Sequence, residues 1–237
     1  GGVSLGEFRD NWTTTVNDSF LMVAVHGSRP DDLRLLLEHG YVALHSSGQT
    51  KQQLLGSITG VYLGIWQSEY AAVLRESPAG RSVYASTGYA MSVTCGRVSF
   101  VLGLHGPCAA IDTACSSSLV AGHSGSRALQ CDECQLDVLA GVHAMLIPSV
   151  PISYAVGGLT STSGRSHTFD ARADGFGRGE ACGAALLSAG CLRGESRFAG
   201  AAVRQDGRSA SLTAPNSQAQ QALLCIARAC ANEESLS

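Results

Sequence analysis

Nine residues near the middle of the chain, 111–119 (IDTACSSSL), constrain the fold more than any other stretch. The small apolar residues 108–111 predict a strand, and the run after Cys115 is compatible with a helix. We therefore expect a strand, a sharp turn and a helix, with Cys115 at the turn. A thiol at a helix N-terminus meets unpaired backbone N–H groups and the positive end of the helix dipole, which favour the nucleophilic thiolate. The alternative is that Cys115 is a small buried apolar residue, as free cysteines commonly are.

The rest of the chain alternates between apolar strands and helices, a pattern typical of layered α/β proteins. Asp31 can cap the first helix, and the residues before it show poor periodicity, with 11–14 predicted as a surface loop. Pro148 and Pro151 begin a stretch rich in glycine and serine that we predict as a long loop reaching Gly179. No repeat or linker separates these elements, so we expect one domain. The predicted helices are 31–41, 69–75, 87–102, 116–129 and 218–231, and the predicted strands are 59–66, 137–142, 182–188 and 198–203.

Composition excludes several classes of function. Hydrophobic residues make up 45% and charged residues 15% of the 237 residues, as in compact α/β proteins. The net charge is −3 and no basic block occurs, so we expect no nucleic-acid partner. No apolar run approaches the roughly 20 residues that a membrane span needs. The first ten residues lack the layout of a signal peptide, and the absence of an initial methionine suggests an excerpt of a longer chain.

The nine cysteines do not indicate a secreted disulfide scaffold, because the chain is much longer than such scaffolds and rich in core residues. We expect reduced thiols in a reducing compartment, with cytoplasm favoured and plastid left open. Cys131 and Cys134 form the one close pair, without a second pair or a nearby histidine at zinc-finger spacing. The sequence therefore predicts no metal site.

The segment 112–119 (DTACSSSL) resembles the active-site signature of the β-ketoacyl synthase (ketosynthase) family of polyketide and fatty acid synthases. The resemblance runs from about Thr59 to Ala231, whereas residues 1–58 match poorly. Two positions depart from the family pattern: Ala181 replaces a usual glycine, and Arg204 replaces a usual asparagine. The other matching segments follow in family order: GRVSF at 96–100, Leu104, Gly106 and Pro107, GV at 141–142, GR at 164–165, TFD at 168–170, ADGF at 173–176, RGE at 178–180, QDGRS at 205–209 and LTAPN at 212–216.

The resemblance implies the thiolase-like layered αβαβα fold, of which this chain would hold most of the N-terminal half. It also implies a homodimer whose protomers meet near residues 108–113. The implied reaction moves an acyl group from the phosphopantetheine thioester of an acyl carrier protein onto Cys115, followed by decarboxylative condensation with a malonyl-type extender. No cofactor, nucleotide or metal would be bound. Asp112 would help to fix the turn, and Phe176 would face the substrate tunnel.

Condensation in this family also needs two histidines, which the resemblance places C-terminal to Ser237. His123 cannot replace them, because it lies eight residues past Cys115 on the predicted helix, about 12 Å along its axis. We interpret His123 as a packing residue and His143 as a capping residue at a strand end. His167 falls in a loop, and four histidines fit no motif: His26, His39, His45 and His105. We therefore expect a C-terminally truncated fragment that is inactive by itself.

Three other patterns suggest sites that we do not favour. Residues 175–180 (GFGRGE) nearly match the dinucleotide-binding fingerprint, but glutamate occupies the last position. Residues 122–126 (GHSGS) imitate a serine-hydrolase elbow without its final glycine. Four charged residues of the same region are interpreted as a structural ion-pair cluster: Asp170, Asp174, Arg178 and Glu180.

The leading hypothesis is therefore an acyltransferase of the ketosynthase type. A second hypothesis, from a different class, is a non-catalytic or degenerate ketosynthase piece with a structural or dimerisation role. A third is another cysteine-dependent acyltransferase or hydrolase, such as a thiolase relative, against which the triple serine after Cys115 argues.

Overall fold

The computed structural model describes residues 2–4, 31–66, 69–82, 85–189, 196–211 and 214–233. Within these ranges six strands form one sheet in the order β3-β2-β4-β5-β1-β6. Strands β2, β3 and β4 are parallel, β5 runs antiparallel to β4, and β1 pairs antiparallel with β5 and β6. The strands are β1 Gly2–Ser4, β2 Thr59–Ile65, β3 Cys108–Ile111, β4 Leu136–His143, β5 Ala181–Ser188 and β6 Ser196–Arg197.

The helices cover both faces of this sheet. They are α1 Asp31–Ser46, α2 Lys51–Leu54, α3 Tyr70–Glu76, α4 Ala85–Tyr89, α5 Met91–Leu102, α6 Ser117–Gln130, α7 Ser149–Val156 and α8 Ser217–Glu233, with short 3₁₀ turns at Pro78–Arg81 and Ala114–Ser116. Helices α1 and α5 pack on one face, against Val61, Leu63 and Val138. Helix α6 packs on the other face, against Tyr62 and Leu187. The predicted layered α/β fold is confirmed.

Three predicted elements were wrong. The helix expected at 87–102 is two helices, because Ala90 has extended backbone (ψ 120°) between α4 and α5. Helix α7 lies within the predicted loop after Pro148, since Pro151 falls in its first turn, where a missing N–H costs nothing. The strand expected at 198–203 does not form. Phe198 instead packs against α6, and Gly200 lies against the backbone of α8.

Some sequence expectations lie outside the described residues. These are the surface loop at 11–14, His26, and Leu212 and Thr213 of the last matching segment. No helix in the described part of the chain is long and apolar enough to span a membrane.

One buried acidic residue lies within the otherwise apolar contact between α6 and the sheet. Asp137 on β4 is fully buried, and neither of its carboxylate oxygens has a hydrogen-bond partner. Gly125 of α6 lies directly over it, where a Cβ would overlap the carboxylate, and Gly60 of β2 flanks it. Burial raises the pKa of Asp137 to about 7. Burial, and then the charge on Asp137, raise the pKa of Tyr62 to about 12 and that of Cys134 to about 11.

The raised pKa of Asp137 predicts that the free energy of unfolding decreases as the pH rises. Its pKa in the folded chain is about 7, above the ordinary value of 3.8, so the folded state holds a proton that the unfolded state releases. The stabilising contribution is complete below about pH 4 and is lost as the pH rises through 7, a change on the order of 4 kcal/mol. Asp137→Asn should remove this slope and raise the free energy of unfolding at pH 8, measured by denaturant titration. Asp132→Asn, at an exposed carboxylate, is the control and should keep the slope.

Candidate active site

The turn that carries Cys115 is built by its own neighbours. Strand β3 ends at Ile111, and Asp112 Oδ1 then accepts a hydrogen bond from the backbone N–H of Ala114 at 3.1 Å. The Ser117 hydroxyl accepts from the Thr113 N–H at 2.9 Å and donates to the Ala114 carbonyl at 2.7 Å. These bonds hold Ala114 at a positive φ of 55°. The predicted strand, sharp turn and helix are confirmed, with Cys115 at the turn.

The thiol of Cys115 is exposed at the start of α6. It belongs to the 3₁₀ turn Ala114–Ser116 that immediately precedes this helix. The Ser116 hydroxyl bonds back to the Thr113 carbonyl at 2.9 Å, so its polar atom is engaged within the turn. The arrangement therefore presents one exposed sulfur at a helix N-terminus, where a substrate can reach it.

Two glycines let this helix start directly on the sheet. A Cβ at Gly64 of β2 would overlap the backbone of Ser118, and a Cβ at Gly141 of β4 would overlap the Ser118 side chain. Any larger residue at either position would push the first turn of α6 outward. Because β2, β3 and β4 are parallel, their carboxyl ends meet at one edge of the sheet. Cys115 lies at that edge, where open α/β sheets bind ligands.

Aromatic side chains extend from the same edge of the sheet as the turn, beginning just after the two glycines. Trp66 and His143 follow Gly64 and Gly141 by two residues, so the strand alternation turns them toward the α6 side. Their ring centroids are 6.1 Å apart. Tyr154 of α7 stacks on Trp66 at 6.0 Å, and Phe176 meets Tyr154 at 6.2 Å. We call Trp66, His143, Tyr154 and Phe176 the aromatic row.

Arg178 ties the aromatic row together. Its guanidinium carbon lies 4.8 Å from the centre of the Tyr154 ring, within the range of a cation–π interaction. Its Nη2 is 3.2 Å from His143 Nε2. Burial, and then the charge of Arg178, lower the pKa of His143. The imidazole is therefore neutral near pH 7, and Nε2 accepts from the guanidinium. His143 was expected to cap a strand end, whereas its side chain bonds to Arg178.

Two carboxylates fix the loop that follows β4. Glu180 accepts from the Met145 N–H at 2.6 Å. Glu69, with 3% of its surface exposed, accepts from the N–H groups of Leu146 and Ile147 at 2.8 and 3.0 Å. Three consecutive backbone donors are thus satisfied by two side chains from distant parts of the chain. Sequence reasoning missed this role of Glu69, because nothing near it in the sequence indicates the loop it holds.

The expected ion-pair cluster does not form. Asp170 pairs with Arg172 at 2.6 Å, and Asp174 accepts from the Thr162 hydroxyl at 2.8 Å. Arg178 instead contacts the aromatic row, and Glu180 binds the loop after β4. The four side chains separate because the chain folds back on itself between them, with Phe176 bridging to Thr160 and Gly175 in left-handed backbone at φ 142°.

None of the described histidines other than His143 belongs to the turn or to the aromatic row, and His45 stacks on Tyr41 with ring centroids 5.8 Å apart. His123 is half-buried two helical turns beyond Cys115, and its Nδ1 has no hydrogen-bond partner. His39 and His45 lie on α1, whereas His105 and His167 lie in loops. Within the described ranges, no three His, Cys, Asp or Glu side chains come together as metal ligands.

Residues 30–190 match the model of the β-ketoacyl synthase N-terminal domain. The chain belongs to the β-ketoacyl synthase family. The fold comparison agrees: a ketosynthase from module 6 of the bacillaene synthase of Bacillus subtilis covers 82% of this chain with a TM-score of 0.70 and 30% identity. An oxazolomycin ketosynthase domain of Streptomyces albus covers 86%, with a TM-score of 0.76 and 28% identity.

Sequence relatives of this ketosynthase chain include polyketide synthases. One component of the phenolphthiocerol/phthiocerol polyketide synthase of Mycobacterium tuberculosis is 44% identical over 193 residues, 79% of this chain and 12% of the relative. Another component of the same synthase is 42% identical over 197 residues, 81% of this chain and 10% of the relative. The chain thus spans about a tenth of these relatives and 34% and 36% of the two solved ketosynthases.

Gly64 and Gly141, on which the first turn of α6 rests (the seating glycines), give a direct test of how the turn is positioned. Gly64→Ala and Gly141→Ala should each lower the free energy of unfolding by about 1–3 kcal/mol, the cost of overpacking, because the new methyl meets Ser118. Gly96→Ala on α5 is the control, since a Cβ there has nothing within 4 Å. It should be neutral or stabilise the helix by up to about 1 kcal/mol. Equal losses in all three variants, measured by urea titration, would refute the seating role.

Proposed function

We propose that this ketosynthase chain carries an acyl group on Cys115 during polyketide or fatty acid biosynthesis. The observation that carries the proposal is the exposed thiol at the start of α6, held at the carboxyl edge of the parallel strands. The acyl group arrives as a thioester on the phosphopantetheine arm of an acyl carrier protein, as in the family. The reaction class is acyl transfer.

The loading step uses the turn as it stands. The Cys115 sulfur attacks the thioester carbonyl carbon, and the carbonyl oxygen takes up the negative charge, for which the backbone N–H of Cys115 is one donor. When the carbonyl re-forms, its bond to the phosphopantetheine sulfur breaks. That thiolate leaves and takes a proton, and the acyl group stays on Cys115. Asp112 and Ser117 hold the backbone that aims the sulfur.

The aromatic row forms one wall of the acyl site in this proposal. Trp66 and His143 continue the strand positions on which the first turn of α6 rests, so they face the space beside Cys115. Phe176, predicted to line the substrate tunnel, joins the row through Tyr154 and keeps 42% of its surface exposed. The aromatic rings of the row would suit contact with an apolar acyl chain.

The second step, decarboxylative condensation, needs donors that stabilise an enolate. The resemblance supplies them as two histidines that are not among these 237 residues. Residues 1–237 would therefore hold the acyl-loading residue of a larger ketosynthase domain and would not carry out condensation by themselves.

The proposed partners are the acyl carrier protein and a second copy of the domain. Strand β3 is the last strand at its end of the sheet, so one row of its backbone groups is open among the described residues. An open edge can extend a sheet across a two-fold axis. Substitutions at the family's histidine positions beyond Ser237 would instead favour the degenerate, dimerisation-only alternative.

The nucleophile is tested by loading. In the full-length parent synthase, Cys115→Ala should reduce acylation from a thioester donor by at least about a thousandfold, because the covalent intermediate is lost. Intact-protein mass spectrometry reports the bound acyl group. Cys131→Ala, at another exposed thiol, should load normally. Wild-type loading of Cys115→Ala would show that a different residue carries the acyl group.

Selective alkylation tests the same sulfur without a substrate. In the isolated chain at neutral pH, iodoacetamide should label Cys115 ahead of the other eight thiols, including Cys108, Cys131 and Cys225, which are also exposed. Peptide mapping over a time course gives the individual rates. Equal rates would mean that the start of α6 does not activate the thiol.

The preference for long or short acyl chains tests whether the aromatic row lines the acyl site. Trp66→Ala or Phe176→Ala should change the ratio of loading rates for long and short acyl thioesters by about tenfold, because an apolar wall is removed. Phe100→Ala, at an exposed position on α5 away from the row, is the control. An unchanged ratio in both row variants would place the acyl chain elsewhere.

A further inference from the structure

Glu69 is a buried carboxylate that the loading step does not use. It is the N-cap residue of α3, and its backbone carbonyl accepts from the N–H groups of Ala72 and Val73 at 3.0 and 3.4 Å. Its Oε2 accepts the hydrogen bonds from Leu146 and Ile147, whereas its Oε1 is buried with no hydrogen-bond partner among the described residues. The main chain of Glu69 therefore begins one helix, and a single side-chain oxygen holds a loop that starts 77 residues further along the chain.

The two bonds from Glu69 end close to the start of α7. Ile147 precedes the first residue of this helix, Ser149, by two positions. Glu180 supplies a second anchor, because it binds the Met145 N–H and itself lies next to β5. The loop is thus tied to β5 on one side and to α3 on the other. Without Glu69, two N–H groups would lose their acceptor and the entry to α7 would be fixed from one side only.

Helix α7 carries Tyr154, the residue through which the aromatic row is assembled. The rings of Trp66 and Phe176 lie 6.0 and 6.2 Å from its ring, and the Arg178 guanidinium lies 4.8 Å from it. These partners come from other parts of the chain, so a shift of α7 changes every one of these contacts. Displacements of about 1 Å in a site can alter rates strongly, even when their cause is distant. The position of α7 therefore governs the shape of this wall.

We propose that Glu69 is a positioning residue that sets the acyl-chain preference of the site, acting through the loop after β4 and helix α7. This role rests on the proposed function, in which the aromatic row lines the acyl site. Glu69 does not touch the acyl group. Its two hydrogen bonds to the loop use one oxygen, so a neutral amide of the same length can replace the carboxylate. A carboxylate that is one methylene shorter keeps the charge but falls short of the two N–H groups.

The test compares the loading of Cys115 from an acetyl and a dodecanoyl thioester of N-acetylcysteamine in the parent synthase, measured by peptide mapping. Glu69→Ala and Glu69→Asp should each change the ratio of the two loading rates by about fivefold, because the wall is no longer held in place. Glu69→Gln should keep the wild-type ratio. Glu76→Ala, at an exposed carboxylate at the end of the same helix, is the matched control and should also keep it.

Two further measurements separate positioning from a general loss of stability. Hydrogen exchange at Leu146 and Ile147, followed by mass spectrometry, should be faster in Glu69→Ala and Glu69→Asp than in Glu69→Gln. In a Tyr154→Ala background, Glu69→Ala should leave the ratio of loading rates unchanged, because the residue through which it acts is absent. An equal loss of both loading rates, with an unaltered ratio, would overturn the proposal.

Failure of this role can be told apart from failure of the proposed function. A wild-type synthase that loads Cys115, together with Glu69→Ala and Glu69→Asp variants that keep its ratio, would refute the positioning role alone. A wild-type synthase that does not load Cys115 would refute the proposed function, and this role with it. If Glu69→Ala does not fold, as judged by circular dichroism, the comparison of Glu69→Asp with Glu69→Gln decides the question. Equal changes of the ratio in these two variants would also refute the role.

Discussion

The contact between the first turn of α6 and the glycines of two parallel strands governs the geometry of the candidate site. Gly64 and Gly141 have no side chains, and Ser118 occupies the space where those side chains would lie. The helix can therefore begin against the sheet itself instead of one side-chain layer above it. Cys115, three residues earlier, is carried to the carboxyl edge by this contact. The bonds from Asp112 and Ser117 then set the path of the turn between strand and helix.

The remaining side chains at this edge depend on a second constraint, which is the position of the loop after β4. Glu69 and Glu180 bind its three successive N–H groups, and Arg178 spans from the strand end at His143 to Tyr154. The aromatic row is thus supported from β2, β4, α7 and the segment before β5. Few of its members are neighbours in the sequence, yet they share one face of the sheet.

Local patterns predicted the parts of the fold that local physics determines. The alternation of β2, the apolar run of β4 and the small residues around Cys115 identified strands and the turn close to their observed limits. Helix α7 was missed because its prolines were interpreted as loop signals, although a first helical turn tolerates them. The apolar segment at 198–203 was predicted as a strand because alternation does not distinguish strand pairing from packing against α6 and α8. The roles of Trp66, Tyr154 and Glu69 could not be predicted, since each depends on a contact with a distant segment.

Ala114 shows what the turn gains from an unfavourable backbone. At φ 55° an alanine is disfavoured by roughly 1–2 kcal/mol, a penalty that glycine would avoid. Glycine would also let the residue before the nucleophile sample many more conformations. The methyl group of Ala114 therefore lowers the stability of the fold and restricts the positions that the Cys115 sulfur can take. The hydrogen bonds of the neighbouring residues hold the turn in this strained conformation. The conformational freedom of the turn is therefore a property that natural selection can change separately from the stability of the fold.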